Sequence, residues 1–186
     1  MKRKSMLITV GTAISLTVLA AGAAISAQDR YTVKVPGGLA FSEAKGYETW
    51  QLISISHNGT KLAAILGNPA MIQALKAGIP DNSKPFPDGA RMAKIHWNPT
   101  SKTTYPGPPL VAGTLHDVDV MVKDSKRFAD SGGWGYGAFK YDDATGTFRP
   151  ANTTDTPPQG NDAKCGFACH TVVKSRDYVF TEFPKR

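Results

Sequence analysis

Apolar positions in this chain come in short runs punctuated by glycine, proline and asparagine, the rhythm of strands and turns. The first organised run is Tyr47 to Ser56, in which Trp50 to Ser56 reads as a strand. Asn58-Gly59 then supplies a strong hairpin signal, and Leu62 to Leu66 reads as the returning partner. Asn68 to Gly78 has helical spacing, with Asn68 placed to cap, Pro69 at the first helical position and Gly78 at the stop. A proline-rich loop to Gly89 precedes a strand over Arg91 to Trp97, and a long loop covers residues 98–113. Leu115 to Lys123 alternates strictly. His116, Val118, Val120 and Val122 share one face; Asp117, Asp119, Met121 and Lys123 share the other. On that pattern His116 reads as a core histidine. One helical turn is predicted over Ser125 to Asp130, a strand over Trp134 to Tyr141, a polar connection over residues 142–162, and a final strand over Tyr178 to Phe183. The sum is a mainly β domain, an antiparallel sheet with a few short helices.

The amino end changes the picture of where the chain works. Lys2, Arg3 and Lys4 precede a short apolar run, which ends in small residues from Ala20 to Ala27. This is the make-up of a secretory signal peptide, and the run is short for a bilayer span, so a cleaved leader over residues 1–27 is expected rather than a retained anchor. A single domain over residues 28–186 then remains, exported to the periplasm. Losing the leader removes those basic residues and no acid, taking the formal charge from +7 to +4. The remaining cations are scattered, without the basic stripe that nucleic acid requires, so no nucleic-acid partner is expected.

The chemistry concentrates near the carboxyl end. The two cysteines lie in Lys164-Cys165-Gly166-Phe167-Ala168-Cys169-His170. Attachment of c-type haem ordinarily has two residues between the cysteines and a histidine directly after the second. Here three intervene, which one bulge or a loosened turn can absorb, because residues three and four apart share a helix face. A disulfide is the competing reading for two cysteines in an exported protein. His170 favours haem, with Cys165 and Cys169 as thioether donors and His170 as the axial metal ligand to iron. No second cluster completes a zinc site.

At this point the chain resembles the cytochrome P-460 family and its relative cytochrome c′-beta. The resemblance rests on Tyr47-Glu48-Thr49-Trp50, Asn68-Pro69 with its helix, and Phe86-Pro87-Asp88-Gly89 before a strand carrying Lys94. It continues through Val122 to Phe128 with Trp134 downstream, and Cys169-His170 followed by Asp177 to Thr181. The resemblance implies a β-rich homodimer holding one covalently attached haem c, five-coordinate and open on its distal side. It implies hydroxylamine oxidation, with nitric oxide involved and an electron-transfer protein as partner. In such members a lysine is cross-linked to the macrocycle, and Lys94 matches its position. A distal carboxylate lies four residues before a lysine, which points to Asp119 as a catalytic base beside Lys94. The extra residue between the cysteines departs from the family pattern, and Ala63 stands where some members carry arginine.

Other functions remain open at this level. A c′-beta-like protein would bind nitric oxide or carbon monoxide without turnover, its distal side closed by Phe86 or Phe41. A simple electron carrier would need a sixth ligand from His96, His116, Met92 or Met121. A non-haem secreted binding domain is the residual alternative.

Overall fold

The computed structural model describes residues 28–151 and 162–185, with side chains in the second stretch from residue 166 onward. The expected leader lies outside the described residues, as does most of the polar connection before the cysteines. Six strands form one antiparallel meander: β1 (Gln51–His57), β2 (Leu62–Gly67), β3 (Arg91–Ser101), β4 (Leu110–Lys123), β5 (Trp134–Asp142) and β6 (Thr147–Pro150), in that spatial order. Two helices join them, α1 (Pro69–Lys76) and α2 (Asp162–His170), together with several short 3-10 turns. Among the described residues no helix is long and apolar enough to cross a membrane.

Alternation on the strands gives the sheet two buried faces. Val118, Val120, Val122 and Phe139 point to one, where the amino-terminal segment lays Val33, Val35, Leu39, Phe41, Ala44 and Tyr47 over them. Met92, Met121, Trp134 and Tyr136 point to the other, covered by α1 and by Tyr178 and Val179 of the carboxyl-terminal segment. Asn68 caps α1 as expected, its side chain accepting from Met71 N–H at 3.0 Å, with Pro69 in the first turn. The same side chain accepts from Arg91 N–H and donates to the Gly89 carbonyl, so it also fixes the start of β3.

Four readings of the sequence need correction. The head of the first organised run, Tyr47 to Thr49, is a 3-10 turn, and β1 begins at Gln51, one residue after the expected Trp50. β3 and β4 run far into the expected 98–113 loop, to Ser101 and from Leu110, because bulges let the long hairpin continue past Pro99. β6 lies within the segment read as a polar connection; its short run buries only Phe148 deeply. The final strand over Tyr178 to Phe183 does not form. Asp177 and Tyr178 have φ of 48° and 64°, left-handed values that turn the chain instead of extending it.

Candidate functional site

Cys165 and Cys169 fall on α2, four positions apart, and His170 is its last residue. Among the described residues Cys169 is an exposed free thiol. Helix α2 lies against β5, and Gly166 makes the approach possible: a Cβ there would stand 2.4 Å from Cγ of Tyr136. The His170 ring is flanked by Tyr136 at 5.0 Å and Phe180 at 4.9 Å between centroids. Its Nδ1 lies 2.6 Å from the Tyr178 carbonyl oxygen, which can only accept, so Nδ1 carries the proton and Nε2 keeps the lone pair. Burial holds this imidazole below its ordinary pKa; the carbonyl opposes the shift and the charge of Lys94 adds to it.

The carbonyl that orients His170 is itself held in place. Lys123, buried with its side chain 7% exposed, donates to both Asp177 oxygens at 2.8 and 2.9 Å and to the Gly132 carbonyl at 3.0 Å. Asp177 in turn accepts from Phe86 N–H at 2.8 Å. This ion pair staples the left-handed turn at Asp177 and Tyr178 to the end of β4.

Two hollows open beside His170 and share Asp119, Met121 and His170 in their linings. One has the Tyr136 to Ala138 stretch of β5 as its floor and Gly166 and Cys169 as its wall. The other is lined by Ile65, Met92, Lys94, Phe180 and Thr181. Lys94 and Asp119 are cross-strand partners on β3 and β4, and both line the hollow with His170. A larger hollow, about 510 Å³, lies between β1 and α1, but neither cysteine, histidine nor acid lines it.

A polar cluster adjoins the cleft. Asp117 contacts His96 Nδ1 through one oxygen and His116 Nδ1 through the other, the latter at 2.5 Å, while His96 Nδ1 lies 3.7 Å from Asp119. Burial pushes the Asp117 carboxyl up, but hydrogen bonds and charge from His96 and His116 outweigh it and hold the group below the usual range. His116 is therefore no core histidine. The register jumps from His96 opposite Asp117 to Trp97 opposite Leu115, leaving His116 as the extra residue of a bulge, and a bulge re-aims its side chain.

The family model of Cytochrome P460 matches residues 44–181. The chain belongs to that family. The comparison with curated proteins gives no match. As a cytochrome P460 it is a haem-binding iron protein, and the residues present fit that group. An imidazole with Nδ1 tied to a carbonyl and Nε2 free is the donor that haem iron takes, and the thiol beside it is accessible. The cleft walls combine apolar side chains with a lysine and a carboxylate, as expected of a cofactor site.

The structure thus brings Lys94, Asp119, Cys169 and His170 to one cleft, and places Cys165 on the same helix. Phe41 is packed in the opposite core against Phe139, so it cannot close this cleft, and Phe86 packs on Trp134. Sequence reasoning missed Tyr136 and Phe180, the rings actually beside His170. The aromatic-and-glycine run of β5 was visible as a strand, but nothing local marks which of its rings meets α2.

Proposed function

We propose that this cytochrome P460 is an exported c-type cytochrome that oxidises hydroxylamine. Cys165 and Cys169 would hold its haem by thioethers, His170 would bind the iron, and Lys94 would form the second tether that the family resemblance implies. The observation that carries this reading is the pairing of Lys94 with Asp119 across β3 and β4, in a hollow that His170 also lines. When bound, the haem supplies a redox centre able to take electrons from a nitrogenous substrate and pass them to an electron-transfer protein. The chain's own residues do the rest. His170 Nε2 would bind the iron, its lone pair left free because Nδ1 is committed to the Tyr178 carbonyl. Asp119 accepts protons from substrate as electrons leave, which is general-base work. Tyr136 and Phe180 hold the imidazole ring in place. A periplasmic location and a homodimer belong to the same proposal.

The test is the absorption spectrum of protein matured in an export-competent host that attaches c-type haem, followed by hydroxylamine turnover with an artificial electron acceptor. A broadened ferrous Soret band displaced far to the red, lost in Lys94→Arg, together with turnover, supports the proposal. An ordinary high-spin spectrum that binds nitric oxide without turnover replaces it with gas binding. Sharp low-spin bands indicate an electron carrier with a sixth ligand; Met92 and Met121 both line the cleft and are placed for that role. Protein without haem overturns it.

A further inference from the structure

Oxidation of hydroxylamine to nitric oxide releases as many protons as electrons. The electrons leave for an oxidised electron-transfer protein; the protons must reach water by another route. Asp119, its side chain 46% exposed, lines both hollows of the cleft, so a group that fills the cleft would lie against its carboxylate. Behind it lies the cluster on the same face of the sheet. His96 is nearly buried, its side chain 11% exposed, and its Nδ1 faces Asp119 at 3.7 Å and Asp117 more closely. Asp117 uses its second oxygen for His116, whose side chain is 30% exposed. A bulge whose extra residue is His116 turns that ring toward Asp117 and away from the valine face.

We propose that His96, Asp117 and His116 form a proton exit leading from Asp119 to the protein surface. This rests on the hydroxylamine reading above. His96 Nδ1 gives its proton to the Asp117 oxygen it faces and, as the 3.7 Å gap closes, takes the one that substrate left on Asp119; the protonated Asp117 carboxyl turns about Cβ–Cγ to hand that same proton to His116 Nδ1, which passes it to water when the ring turns outward. Each group ends as it began. The order of groups is carboxylate, imidazole, carboxylate, imidazole, so each donor stands beside a group with a lone pair to accept its proton. Lys94 on β3, Lys140 opposite Asp117 on β5 and His170 on α2 are the other titratable groups facing this cluster.

The test compares haem-loaded wild type with His96→Gln, Asp117→Asn and His116→Gln, using His57→Gln, exposed at the end of β1, as a control. At saturating hydroxylamine, His96→Gln and Asp117→Asn should lower kcat roughly 10- to 100-fold, the low end for a positioned proton-transfer group. KM and the Soret position should be unchanged. Imidazole buffer should restore part of kcat in His96→Gln, and the shape of the kcat–pH profile should differ from wild type; neither change follows from a merely structural role. Wild-type kcat and pH profile in both variants would overturn the exit. If wild type shows no turnover, the hydroxylamine reading fails separately. The exit is then judged from the midpoint potential: its pH slope should be present in wild type and lost in His96→Gln, and an identical slope in the two would overturn it. Stoichiometric Zn²⁺ binding abolished by His96→Gln would also overturn it, in favour of a metal site.

Discussion

Replacing Lys123 with methionine tests how the cleft is held together. Lys123 and Asp177 are 7% and 12% exposed at their side chains, so their contacts at 2.8 and 2.9 Å are little screened by solvent. Methionine keeps most of the volume and removes the charge. Asp177 keeps only the Phe86 amide among the partners described above, and breaking one side of a buried pair costs about 3–5 kcal/mol. The turn beneath adds to the effect. Asp177 and Tyr178 both hold left-handed φ without being glycine, a strain that persists only while the surroundings enforce it. We expect Lys123→Met to lower unfolding free energy by roughly 3 kcal/mol, which for a domain of this size is roughly 6–12 °C in Tm. Asp177→Asn should cost a similar amount, and the double variant clearly less than the sum, because the pair is lost once only. Urea unfolding of the four proteins followed by circular dichroism gives the cycle. Additive losses, or a Lys123→Met loss under about 1 kcal/mol, would refute the claim that this pair staples the carboxyl-terminal turn.

Gly166→Ala sets helix propensity against packing. Alanine favours the helix by about 1 kcal/mol, yet its Cβ would meet the Tyr136 ring at 2.4 Å, an overpacking that costs about 1–3 kcal/mol. Thermal melts should show net destabilisation, and a stabilised variant would mean that α2 does not lie flush on β5. Asp117 has a carboxyl held below its unfolded range, so it contributes stability above the unfolded value, near pH 4, which is lost as pH falls through the folded value. Asp117→Asn should therefore be less stable than wild type at pH 6, with the gap closing toward pH 2; a constant gap in acid unfolding curves would contradict the assignment. Asn68→Ala removes a helix cap that also binds Arg91 N–H, and should cost about 1–2 kcal/mol by urea unfolding. A change within error would show that α1 and β3 are anchored elsewhere.

What could be read in the sequence followed from local rules. The Asn58-Gly59 hairpin, the Asn68 cap with Pro69, and the alternation over Val118 to Lys123 each arise from the residues themselves, and all three recur in the structure. The alternation also placed Asp119 and Met121 together, and the family resemblance singled out Lys94 on the strand beside them, which is why part of the cleft was visible beforehand. The failures share a cause in tertiary contact. Tyr178 to Phe183 has the composition of a strand, but the Lys123 contact to Asp177 and the Tyr178 carbonyl contact to His170 hold it in a turn. His116 has a valine-face position that a bulge cancels, and no residue of its own announces the bulge. Val33 to Ala44, passed over as unorganised, covers a whole sheet face with irregular chain, where no period exists to be read.

The strand order has a consequence for how such a protein can change over evolutionary time. Every strand of the meander lies beside its predecessor, and among the described residues the last strand ends at Pro150, ahead of α2 in the chain. The helix with both cysteines and His170, and the carbonyl that aims His170, belong to a single tail laid over the sheet. Insertions or altered cysteine spacing in that tail, such as the three residues between Cys165 and Cys169, leave every strand-to-strand register untouched. What such changes must keep is the contact points on the sheet, Gly166 on Tyr136 and Asp177 on Lys123.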